Sequence, residues 1–123
     1  MVNFRIMKEN ILKDKAFAFA IRIVRSYQFL KEKQREYVMS KQLLRSGTAI
    51  GALVREAEHA EGKADFIHKN AIAQKEANET LYWLELLAQT DYLSKEVFLS
   101  IHNDATELLK ILTASLKTAK ANH

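Results

Sequence analysis

No proline occurs anywhere in this chain, and glycine occurs only three times in 123 residues. A strand-rich fold needs frequent turn residues. A chain without them makes few turns and runs in long segments, which points to long helices. The length is that of one domain, and a domain of this size buries well over half of its unfolded surface. Hydrophobic residues make up 48% and charged residues 28%, the balance of a globular protein.

Apolar periodicity predicts four helical segments. The first covers residues 12–31, where Leu12, Ala16, Phe19, Ile23, Tyr27 and Leu30 recur at spacings of three and four. Phe17, Ala20, Ile21 and Val24 widen that stripe beyond one face. A helix apolar on more than one side is covered on more than one side, so the extra face is a candidate subunit contact. The second segment covers residues 35–60 on Met39, Leu43, Ser46, Ile50, Leu53, Ala57 and Ala60, a coiled-coil-like stepping. Within it Ser46, Gly47, Ala49, Gly51 and Ala52 are small. Glycine inside a helix costs about 1 kcal/mol relative to alanine, so Gly47 and Gly51 mark a close helix approach. Gly62 is the expected stop of this segment. The third covers residues 64–90 on Phe66, Ala73, Ala77, Thr80, Leu84 and Leu87. The fourth covers 94–120, opens on Ser94 as N-cap, and carries Phe98, Ile101, Ala105, Leu108, Leu112 and Leu116.

The connections near 32–34, 61–63 and 91–93 are short, which makes sequential helices antiparallel. The expected architecture is an all-α, antiparallel up-down-up-down four-helix bundle over residues 11–120. Residues 1–10 are expected to precede it as an arm, either frayed or extended along a neighbour by the alternating Val2, Phe4 and Ile6.

Charge is uneven. Residues 1–62 carry twelve Lys and Arg against seven Asp and Glu, and residues 63–123 carry seven against eight. All six arginines lie in the first half. Arginine is the residue of phosphate and bidentate carboxylate contacts, so a basic face toward RNA or DNA is one reading. The other is that a net charge of +4 keeps a small protein soluble. Zero cysteine excludes disulfides, thiolate catalysis and Cys-ligated zinc. The opening MVNFRIMKEN has no run long enough for a signal peptide, and no later segment approaches a membrane span. A cytoplasmic location without membrane contact is the expectation.

EYVMSKQLLRSGTAIGALVREAEHA and KADFIHKNAIAQKEANETLYWLELLAQTDYLS, with the opening KDKAFAFAIRIVRSYQFL, resemble the four-helix-bundle family encoded in intervening sequences of bacterial 23S ribosomal RNA genes. The resemblance covers residues 10–118. It rests on Arg45, Ser46, Gly47, Ile50, Gly51 and Glu56, then Asp65, Phe66, Lys69, Lys75, Glu76, Glu79, Thr80, Tyr82 and Trp83. The family typically has a small polar residue where Ala49 stands and asparagine where Leu53 stands, so a contact made by that asparagine is not carried over. The resemblance implies a pentameric, barrel-like assembly. It also implies similarity to the accessory proteins of diversity-generating retroelements, which bind nucleic acid and a reverse transcriptase.

If the second and third helices fold back about Gly62, residues whose numbers sum to about 125 lie level. That places Arg45 beside Glu79, and Glu56 beside Lys69, as structural ion pairs that set register. Glu76 falls level with Ala49. Glu76 and Glu79 share a helical face and are the only candidate catalytic pair, but acid–base work needs a cleft between carboxylates in unlike environments, and nothing supplies one. Di-iron bundles use Glu-x-x-His from two helices. Here Glu56-Ala-Glu-His59 matches once and Asp65-Phe-Ile-His68 is a variant. Both histidines lie off the stripes near the hairpin tip, so no metal or other cofactor is expected. His102 and His123 read as surface residues. Tyr82 and Trp83 read as core edge or interface residues; base stacking is disfavoured by Glu79 and Glu85 nearby. The phosphate contacts expected on the first helix are Lys15, Arg22 and Arg25, opposite its core residues. The reading is a non-enzymatic homo-oligomer that binds RNA or DNA through a basic surface. The alternative is a protein-interaction scaffold, for example a reverse-transcriptase adaptor, without direct nucleic-acid contact.

Overall fold

The computed structural model describes residues 4–122, with side chains from residue 7 onward. Its elements are four α-helices, and the described residues hold no strand. They are α1 (Phe4–Glu32), α2 (Met39–Glu58), α3 (Lys63–Gln89) and α4 (Lys95–Ala121).

Helix α1 begins earlier than its stripe implies. The separate arm expected over residues 1–10 is corrected: from Phe4 onward it is the first turns of α1. Met7, Lys8 and Glu9 are good helix formers and no breaker intervenes. Val2 and His123 lie outside the described residues, and so do the side chains of Phe4 and Ile6.

Helix α2 begins later, at Met39 rather than near residue 35. Arg35 takes a left-handed φ of 53° and turns the chain out of α1. Glu36 N–H then bonds back to Leu30 O at 2.9 Å. The buried Glu36 carboxylate accepts the N–H groups of Val38, Met39 and Ser40 at 2.9, 2.9 and 2.6 Å. It thereby satisfies the orphan donors at the start of α2 and complements its dipole. Burial pushes the Glu36 carboxyl up, but these bonds together hold it below the ordinary carboxylate value. At the next turn Gly62 is extended and stands at the N-cap of α3, rather than stopping α2. Helix α3 ends in a Schellman arrangement. Tyr92 N–H bonds Leu87 O and Asp91 N–H bonds Ala88 O, with Asp91 at φ 70°. Ser94 caps α4 by accepting the Val97 N–H at 3.2 Å.

Each seam runs antiparallel. Lys13 pairs with Glu58 on α2, while Ile23, further along α1, meets the earlier Gly47. Lys69 pairs with Glu56 and Glu79 with Arg45 between α3 and α2. Glu85 pairs with His102, and Gln74 bonds Thr113, between α3 and α4. Helix α4 closes on α1 by the sparsest of the four seams.

The core is the meeting of the four stripes. Leu12, Ala16, Phe19, Ile23 and Leu30 face Leu43, Ile50, Ala73, Ala77, Leu84 and Leu87, with Ile101, Ala105, Leu108 and Leu112 closing the fourth side. Tyr27 and Leu53 are only half-buried, and Val54 takes the core position expected of Leu53. Asn70 is buried on α3 although no apolar pattern marks it; its amide donates to Phe66 O, and its Oδ1 has no protein partner among the described residues.

Candidate nucleic-acid interface

The three cations expected to touch phosphate lie along α1 on the side facing α4. Two of them are already engaged. Lys15 Nζ lies 2.5 Å from Glu107, which with its hydrogen bond raises the Lys15 pKa. Arg22 Nη1 meets Asp104 at 2.5 Å, and its Nη2 donates to Ser100 Oγ at 2.9 Å. Lys15 and Arg22, expected as phosphate contacts, thus stand in ion pairs with α4. An antiparallel partner places carboxylates level with them, and the level-residue rule applied to α2 and α3 would have found them had the α1–α4 register been known. Arg25 is exposed and meets no carboxylate among the described residues.

Arg45 holds the α2–α3 seam. Its guanidinium forks onto Glu76, at 3.0 Å, and onto Glu79. Glu76 is thus level with Arg45, one turn from the position expected beside Ala49. Trp83 Nε1 donates to Glu79 at 2.9 Å. That bond, followed by the Arg45 contact, lowers the Glu79 carboxyl against the cost of its burial. Glu76 and Glu79 in turn raise the Arg45 pKa. One arginine gripping two carboxylates on the facing helix fixes the α2–α3 register, and the Glu79 carboxylate, accepting from both Arg45 and Trp83, is held in its charged form. Behind them Thr80 donates to Ser46 Oγ at 2.9 Å in the buried seam. Trp83 packs on the core, and Tyr82 is exposed and edge-on to it. Lys69 meets Glu56 at 3.2 Å.

No group of three or more metal-type side chains gathers among the described residues. His59 and His68 are exposed, and His102 lies 3.1 Å from Glu85 and against Phe98. Among the described residues no helix is long and apolar enough to cross a membrane.

The outer face of α1 is apolar. Phe17, Ile21 and Val24 are exposed on the side toward α2, and Phe29 on the side toward α4. Beside Phe17 a concavity of about 820 Å³ opens between α1 and α2. Its floor is Ala20, Gly51 and Ala52, and Arg55 lies over the Phe17 ring. Charges of both signs rim it, among them Lys13, Glu56, Glu61 and Asp65.

The fold and this inventory define a class: an antiparallel four-helix bundle with ion-paired seams and an uncovered apolar helix face. The chain belongs to the family of 23S rRNA-intervening sequence proteins, whose profile matches residues 8–114. It is similar to the crystal structure of a protein of unknown function from the S23 ribosomal protein family of Bacteroides thetaiotaomicron VPI-5482. The two are 58% identical with a TM-score of 0.88, over 89% of this chain and 98% of that one. None of the curated proteins matches this chain.

Proposed function

We propose that the protein is a non-enzymatic, self-assembling bundle that binds RNA or DNA through positive charge accumulated by its assembly. The observation that carries this reading is the outer face of α1, where Phe17, Ile21 and Val24 stand exposed on a chain of net charge +4. Such a patch is ordinarily covered by a partner, and closed symmetry lets copies cover one another. Each added copy repeats the charge, and a surface many charges strong attracts phosphate by releasing counterions.

The family resemblance sets the expected mass at about five times the 14.1 kDa chain. Light scattering on a size-exclusion column tests assembly, and a concentration-independent monomer would overturn it. An anisotropy titration against structured RNA and duplex DNA tests binding. The slope of log affinity against log salt should be about −0.7 to −0.9 per phosphate contacted. Absence of binding to either at about 50 mM salt transfers the weight to a second reading, a scaffold for a protein such as a reverse transcriptase. The pairing of Lys15 and Arg22 with α4 carboxylates is the observation that favours it.

A further inference from the structure

We infer that the groove between α1 and the first turns of α4 receives a nucleotide of a single-stranded nucleic acid, its base on Phe29 and its phosphate on Arg25. This rests on the nucleic-acid reading above and gives it a place and a substrate class.

The groove holds about 380 Å³, within the range of small-ligand sites. Phe29 stands 44% exposed on one wall, with Val97 across from it and Arg25 one helical turn before it. The lining carries two arginines and no carboxylate. The larger concavity beside Phe17 is rimmed by Glu56, Glu61 and Asp65, and the recess beside Lys15 by Asp104 and Glu107. A phosphate in either would meet fixed negative charge.

The two arginines divide the work. Arg22 is held by Ser100 and Asp104, which fixes it as a wall. Arg25, without a carboxylate among the described residues, is the one available to a phosphate. Ser26 and Gln34 also line the groove. The Gln34 amide N–H donates to Tyr92 O at 3.1 Å, which leaves the amide oxygen to accept from a donor such as a base amino group. An aromatic face beside a guanidinium stacks any base with little preference for sequence. A duplex hides its base faces in the stack, so only an unpaired strand can use Phe29.

The test is fluorescence anisotropy at about 50 mM salt with a short labelled single strand and a duplex of the same sequence. Phe29→Ala should weaken single-strand binding about 5- to 150-fold, the range for one stacked base, and leave duplex binding unchanged. Phe29→Tyr should retain it. Arg25→Gln should weaken it more than Arg55→Gln, which removes the same charge elsewhere. Circular dichroism melts establish that these variants, all at exposed side chains, remain folded. Undiminished single-strand binding by folded Phe29→Ala overturns this groove while leaving charge-driven binding intact. Failure of the wild type to bind either probe overturns both. An acidic amphipathic peptide whose binding is lost in Phe29→Ala, with single-strand binding retained, would reassign the groove to a protein partner.

Discussion

A β-carbon on Gly47 would stand 2.8 Å from Cγ1 of Ile23 and 2.9 Å from its Cγ2. Both atoms belong to the stiff, branched root of the isoleucine side chain, so the neighbour cannot swing aside cheaply. At Gly51 the nearest atom is the Ala16 carbonyl oxygen at 3.4 Å, an ordinary contact. The two glycines therefore separate under the same change. Gly47→Ala should destabilise, and Gly47→Leu should cost about 1–3 kcal/mol or more. Gly51→Ala should be neutral or stabilise by up to about 1 kcal/mol through helix propensity. Thermal melts of the pair decide it, and equal tolerance of alanine at both sites would show that α1 and α2 do not pack this closely.

Removing the Glu36 carboxylate unties three donors at once. Glu36→Ala should cost about 1–2 kcal/mol, the upper part of the N-cap range, because the Ser40 N–H left behind is fully buried. Glu36→Gln keeps one acceptor and should cost less. Urea unfolding midpoints give the comparison, and an alanine variant as stable as wild type would refute the capping role.

Acid should weaken the fold through Glu36 and Glu79. Both carboxyls titrate below the ordinary 4.5 in the folded chain. The unfolded chain takes up these protons first, so the stabilisation is complete above that value and is lost as pH falls through the folded values. Melting temperature followed from about pH 7 to about pH 3 should fall, and the Glu36→Gln, Glu79→Gln double variant should flatten the fall. An unchanged profile in the double variant would assign acid sensitivity elsewhere.

Assembly should fail when the α1 face is charged. Ile21→Lys alters a side chain that is 42% exposed, where the monomer itself should change by no more than about 0.5 kcal/mol. The scattering mass should drop toward the 14.1 kDa chain. Retention of the wild-type mass would move the interface off this face.

Asp91 is held at φ 70°, a conformation that costs a side-chain-bearing residue about 1–2 kcal/mol. Asp91→Gly relieves that strain at an entropic cost of about 0.5–1 kcal/mol. A small gain in melting temperature is expected, and a loss would show that the Asp91 side chain supports the turn.

The stripes were legible because burial imposes the helical period directly on sequence, as from Ile101 through Leu116. Leu53 and Val54 exchanged places because an α-helix drifts off a strict seven-residue repeat. The Arg45–Glu79 and Glu56–Lys69 contacts were legible because one tight turn fixes the α2–α3 register. No turn joins α1 to α4, so Asp104 and Glu107 could not be set level with Arg22 and Lys15 from order alone. Glu36 was hidden for another reason: its role depends on the left-handed Arg35, and nothing in that side chain announces such a backbone. Phe29 stands off the α1 stripe, and only the placement of Val97 opposite makes it a wall.

An even number of antiparallel helices brings the chain back to the end it left. Phe4 and Ala121 therefore open on the same pole of the bundle, with the α2–α3 turn beside them and the α1–α2 and α3–α4 turns opposite. Anything joined before α1 or after α4 departs from that one pole. Copies gathered side by side about an axis along the bundle would all present such appendages in a single tuft, leaving the other pole bare. Labels at the two ends would report on one another within a copy, and labels on the Asp91 turn would report only on the far rim.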